Sequence, residues 1–124
     1  MHAIVIDDSR AMRLILRRIV GQLGFEVSDA EDGRAALDLL AGMETVPNLA
    51  LVDWNMPNMN GLEFLEEVRS EGTHKDLAVI IISTEGREQD TQRGLEAGAS
   101  AYIKKPFHSE DILEKISQLE KGPA

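Results

Sequence analysis

Leu77-Ala78-Val79-Ile80-Ile81-Ile82 is apolar at every position, and Ser83 ends the run. A strand with one wet face alternates apolar and polar residues, whereas a parallel strand covered by helices on both faces has no need to. The stretch therefore reads as the middle of a parallel sheet. Short apolar runs of the same kind lie upstream at Leu49 to Val52, closed by Asp53, and at Ala3 to Ile6, closed by Asp7-Asp8-Ser9. Phe25 to Ser28 and Ala101 to Lys104 complete a set of five strands.

The segments between them carry helical spacing. Met12, Ile15, Leu16, Ile19, Val20 and Leu23 recur on one face up to Gly24, and Ala36, Leu37, Leu40 and Ala41 form a shorter helix closed near Gly42. After Gly61, Leu62, Leu65 and Val68 point inward, while Glu63, Glu66, Glu67 and Glu71 face solvent. A helix from about Arg87 to Ala97 is weakly apolar apart from Leu95. The last one carries Ile112, Leu113, Ile116 and Leu119, and Glu110 and Asp111 favour its start. Five strands alternating with five helices imply right-handed crossovers and an α/β, doubly wound, five-stranded parallel sheet. A half-barrel of the same alternation needs a longer chain to close. The whole of residues 1–124 reads as a single domain.

Composition narrows the function. The 22 acidic and 13 basic side chains leave a net charge of -9, which opposes direct contact with nucleic acid or an anionic membrane. Protein partners and cations are favoured instead. With no cysteine, thiol catalysis, disulfides and Cys-type zinc sites are excluded, and a reducing cytoplasm suits the chain. No apolar run is long enough to span a bilayer, and no export signal is visible.

Ligands of open α/β sheets bind outside the carboxyl ends of the strands. Here those ends hold Asp7 and Asp8, Asp53, Ser83 and Thr84, and Lys105, each next to an otherwise apolar segment. Singly, each has a plain structural use. Asp7, Asp8 and Ser9 suit a helix cap, Asp53 a turn before Pro57, Ser83 and Thr84 turn hydroxyls, and Lys105 a solvated charge. Together they are harder to explain that way. With the first and third strands adjacent, three carboxylates share one pocket and repel unless a cation compensates. Magnesium suits such a site, because it takes oxygen ligands and is commonly held by one or two carboxylates plus phosphate oxygens.

The set from Asp7-Asp8 through Asp53-Trp54-Asn55-Met56-Pro57-Asn58-Met59-Asn60-Gly61, Ser83-Thr84-Glu85, Gly98-Ala99 and Tyr102 to Lys105-Pro106-Phe107 resembles the receiver domain of two-component response regulators, most closely the single-domain chemotaxis type. The resemblance covers nearly the whole chain. It implies a flavodoxin-like sheet in the order 2-1-3-4-5, with Asp53 as phosphoacceptor and Asp8 as the main magnesium ligand. Asp7 then holds the ion or its water, and the backbone carbonyl of Asn55 completes the protein ligands. Ser83, thirty residues after Asp53 and twenty-two before Lys105, takes the hydroxyl position that bonds the phosphoryl oxygen. Lys105 takes the position of the lysine that a cis Lys-Pro bond aims inward. Asn55 and Glu85 occupy the positions that govern phosphoryl lifetime, and Thr84, bulkier than is common in the family, shields the group. Tyr102 takes the place of the switching aromatic. Arg10, Arg13 and Arg17 form a basic strip on the first helix, which family phosphodonors contact; a solvated helix face is the other reading.

The implied partners are a histidine kinase and a downstream target protein, the flagellar motor switch first, with no nucleic acid or membrane contacted directly. A phosphorelay intermediate and a receiver excised from a DNA-binding regulator are the alternatives. In this reading the chain is not an enzyme beyond its own phosphorylation and dephosphorylation. Phosphatases of the haloacid dehalogenase type resemble the site, but they need a second Asp two residues after the nucleophile as general acid, where this chain has Asn55. Neither common phosphate-loop pattern for nucleotides occurs.

Overall fold

The computed structural model describes residues 1–56, 58–70, 77–84 and 88–120, the side chains of Glu88 and Glu120 apart. Among these residues five strands alternate with five helices: β1 His2–Ile6, α1 Arg10–Gly21, β2 Glu26–Ala30, α2 Gly33–Ala41, β3 Leu49–Asp53, α3 Gly61–Ser70, β4 Ala78–Ser83, α4 Glu88–Glu96, β5 Ala101–Lys104 and α5 Ser109–Glu120. All four strand pairings are parallel, in the order β2-β1-β3-β4-β5. The sheet is open, with β2 and β5 as edges, so the half-barrel alternative is not the fold.

Side chains alternate across a strand, and the two faces collect different helices. Ile4, Ile6, Ala50, Val52, Val79 and Ile81 pack with Ala36 and Leu40 of α2 and with Phe64, Leu65 and Val68 of α3. Ala3, Val5, Leu51, Ile80, Ile82 and Ile103 face the other way, onto Leu16, Ile19 and Val20 of α1 and Ile112 and Ile116 of α5. The uninterrupted apolarity of β4 thus serves both faces at once: Val79 to Ile82 are all buried.

Several expectations shift. The second strand runs from Glu26 to Ala30 rather than from Phe25 to Ser28. As an edge strand it is placed by its backbone ladder to β1, His2 opposite Glu26 through Ile6 opposite Ala30, and apolarity says little about its bounds. On α1, Ile15 and Leu23 are exposed, as is Leu14; the helix ends at Gly21, so Leu23 lies beyond its buried stripe of Leu16, Ile19 and Val20. Leu62 is only half-buried, and the inward aromatic of α3 is Phe64. Leu95 of α4 is exposed; the inward residue beside it is Gly94. The expected start of α4 at Arg87, the position of Pro57, and Glu71 lie outside the described residues.

Candidate functional site

Parallel strands put all their carboxyl ends on one edge, and the polar residues that close them meet there. Asp7 follows β1, Asp53 ends β3, Ser83 ends β4 and Lys105 follows β5. Asp7, Asp53 and Ser83 are buried and Asp8 is exposed. Carboxylate oxygens of Asp7, Asp8 and Asp53 lie within 4.8 Å of one another. The Lys105 ammonium donates to Asp53 Oδ1 at 3.2 Å and to Asp7 Oδ2 at 3.3 Å. Sequence positions spread over almost a hundred residues therefore converge on a single cluster.

Local structure aims these groups. Ser9 caps α1, its hydroxyl accepting from the Met12 amide at 3.2 Å, which frees Asp8 from that duty. Asp7 is oriented from several sides. Its amide donates to the Ala30 carbonyl at 3.1 Å, its Oδ1 accepts from the Ser9 amide at 2.9 Å, and Arg13 donates to its carbonyl at 2.7 Å. The Lys105 amide donates to the Ser83 carbonyl at 2.7 Å, and the Lys105-Pro106 peptide is cis, as the resemblance implies.

The electrostatics follow from crowding. Burial, then the Asp7 charge, raises the Asp53 pKa to about 6; the Lys105 charge and its hydrogen bond oppose this without cancelling it, and Asp8 adds to the rise. Burial also works against the Lys105 ammonium, but Asp53 and Asp7 outweigh it and hold its pKa above the ordinary lysine value. With all three carboxylates ionised, one ammonium cannot balance them. An all-oxygen donor set with surplus negative charge, partly open through Asp8, fits a hard divalent cation such as magnesium.

The other expected site residues are placed less directly. Asn55 is exposed two residues past Asp53, and Thr84 is exposed on the rim of an apolar hollow lined by Met12, Ile15, Lys105, Pro106 and Phe107. Glu85 lies outside the described residues. Tyr102 is half-buried on β5, its ring 6.0 Å from that of Trp54 and tilted by 57°. The basic strip is not a free one: Arg13 and Arg17 grip Asp29 of β2 at 2.9 and 3.0 Å, and only Arg10 and part of Arg17 face outward.

Two features escaped the sequence reading. Trp54 is buried between the sheet and α4, where Gly94 leaves room for it and for Tyr102. Asp32 is buried and caps α2 while accepting from Asn58. Asp before Gly33 and the short apolar helix was a readable cap signal; the partner across the loop was not.

The receiver-domain family model, "Response regulator receiver domain", matches residues 3–117. A chemotaxis protein CheY homolog of Campylobacter jejuni is 41% identical over 120 residues, covering 96% of this chain and 92% of that protein. Chemotaxis protein CheY1 of Helicobacter pylori is 40% identical over 118 residues, 94% of each chain. Among solved structures, chemotaxis protein CheY4 of Vibrio cholerae superposes with a TM-score of 0.87 at 30% identity, covering 95% of this chain and 97% of that one. The matched span includes every strand end that contributes to the carboxylate and lysine cluster. By that match and that cluster, the chain belongs to the response-regulator receiver-domain family.

Proposed function

We propose that this chain is a chemotaxis-type response regulator, in which a histidine kinase transfers a phosphoryl group to Asp53 and the phosphorylated form binds a downstream target, the flagellar motor switch. One observation carries the reading: a buried carboxylate at the end of the central strand is held 3.2 Å from a lysine ammonium and beside two further carboxylates. In the transfer, a carboxylate oxygen of Asp53 bonds to phosphorus as the bond from phosphorus to the donor imidazole nitrogen breaks. Asp53 is mostly ionised at neutral pH, as a nucleophile must be.

Asp8, Asp7 and Asp53, with the backbone carbonyl of Asn55, are the groups that would hold magnesium, which when bound supplies positive charge to the phosphoryl oxygens. Lys105 supplies a second positive charge, and the Ser83 hydroxyl donates to a phosphoryl oxygen. Phosphoryl transfer asks little more of a protein than such positioning and charge. Its own phosphorylation and dephosphorylation are the reactions assigned to the chain, with Asn55, Thr84 and Glu85 setting the lifetime. The chemotaxis output is supported by the relatives' names and by the Tyr102 position.

The test is intact-mass analysis after incubation with acetyl phosphate. One phosphoryl group is expected on the wild type with magnesium, and none on Asp53→Asn or in excess chelator. Undiminished labelling of either control would overturn the assignment. A label that persists for hours on the purified protein would move the output from motor control to a relay.

A further inference from the structure

Beyond Asp53 and Trp54, the segment Asn58 to Gly61 is tied down in both directions. Toward α2, Asn58 Nδ2 donates to Asp32 Oδ2 at 2.8 Å, and the Gly33 amide donates to the Met59 carbonyl at 3.3 Å. Asp32 is 6% exposed, and its other oxygen accepts from the Ala35 amide at 2.8 Å. Those bonds, first from Ala35 and then from Asn58, hold its carboxyl below the usual range, so it is a permanent acceptor near neutrality. Asn58 sits at φ 66, a left-handed conformation that costs most residues energy and that Asn tolerates.

Toward the site, the Gly61 amide donates to the Trp54 carbonyl at 2.9 Å, and a Cβ at Gly61 would stand 2.5 Å from the Asp53 carbonyl oxygen. Gly33 is close as well, since a Cβ there would stand 2.7 Å from Met59 Cγ and 3.0 Å from the Met59 carbonyl oxygen. The chain from 58 to 61 is thus a strut: one end is pinned to the start of α2, and the other lies directly on the backbone of Asp53.

We propose that Asp32 and Asn58 form a latch that positions Asp53 for metal binding, acting through the backbone of Met59 to Gly61. The proposal rests on the magnesium reading above. Neither residue is one of the three clustered carboxylates, so both are positioning residues. Outer groups that orient a metal's ligands are commonly worth ten-fold or more in affinity. The left-handed backbone alone does not call for this amide, since a glycine would meet that demand at no steric cost; what Asn58 adds is its bond to Asp32.

The experiment is calorimetric titration of magnesium into the unphosphorylated full chain, with thermal denaturation of each variant alongside. Asn58→Gly keeps the left-handed turn and removes the amide, and its magnesium affinity is expected to fall about ten-fold. Asn58→Asp sets two carboxylates against each other and should do the same. The exchange Asp32→Asn with Asn58→Asp restores one donor and one acceptor with the charge conserved, and it should recover affinity to within about three-fold of wild type. A residue that served only stability would lower the denaturation midpoint and leave affinity alone. Wild-type affinity in Asn58→Gly, or an exchange variant no tighter than Asn58→Asp, would overturn the latch by itself. Absence of magnesium binding by the wild type would instead overturn the metal reading and the latch with it.

Discussion

Asp53 has a folded-state pKa of about 6 against an ordinary value of 3.8, because burial and the Asp7 charge disfavour its ionised form more than Lys105 favours it. The sign of its effect on stability follows. Between those two values the folded chain holds a proton on Asp53 that the unfolded chain has lost, so stability falls as pH rises through this window when magnesium is absent. Below 3.8 both states are protonated and the penalty is gone; above about 6 both are ionised and it is complete. Asp53→Asn removes the charge and keeps an oxygen for Lys105. In chelator at pH 7 it should stabilise the chain by about 1–3 kcal/mol, and the gain over wild type should fade as pH approaches 4. Urea denaturation of both proteins at the two pH values measures this, and a gain independent of pH would contradict the electrostatic account. The ionised Asp53 carboxylate is therefore held at the expense of the fold that presents it.

Two glycines in helices show how differently one residue type behaves by element. Gly21 ends α1, and a Cβ there would meet nothing within 4 Å, so Gly21→Ala should stabilise by about 0.5–1 kcal/mol through reduced chain entropy. Gly94 lies against the sheet in α4, where a Cβ would meet Ile81 Cδ1 at 3.1 Å and both Trp54 Cζ3 and Tyr102 Cδ2 at 3.4 Å. Tyr102 is half-buried, whereas Ile81, the nearest contact, is fully buried in the core. Overpacking should outweigh the helical gain, making Gly94→Ala destabilising by about 1 kcal/mol. Its Trp54 emission should shift as well, whereas that of Gly21→Ala should not. Equal denaturation midpoints for the two variants would show that α4 yields at this point.

Signalling belongs to the whole molecule, since the proposed phosphoacceptor Asp53 ends β3 and the proposed readout lies on α4, β5 and α5. A phosphoryl group on Asp53 offers new acceptors to Ser83 and Lys105. Trp54, the next residue, touches the face of the sheet on which Tyr102 and Gly94 sit. A ten-fold change in partner affinity needs a coupling of about 1.4 kcal/mol, within reach of one aromatic ring that changes its burial. Tyr102→Ala should leave labelling of Asp53 by acetyl phosphate nearly intact and reduce the phosphorylation dependence of target binding about ten-fold. Binding by titration against the target, with and without phosphorylation, checks it; an unchanged dependence would place the output surface elsewhere.

The alternation of apolar runs with helical spacing determined the class of fold, because hydrophobic period is a local property and β4 is apolar on both faces. It also put Asp7, Asp8, Asp53, Ser83 and Lys105 on one edge, since parallel strands all end on the same side. Distances and protonation were beyond it. The 3.2 Å contact of Lys105 with Asp53, and the raised pKa that results from burial beside Asp7, exist only when strands far apart in sequence are packed together. The same holds for the edge strand β2, whose bounds come from its ladder to β1, and for Arg13 and Arg17, whose charges go to Asp29. Asp32 with Asn58, and Gly94 with Trp54 and Tyr102, are likewise tertiary: a hydrogen bond across a loop and a space left by a missing side chain leave no period in the sequence to read.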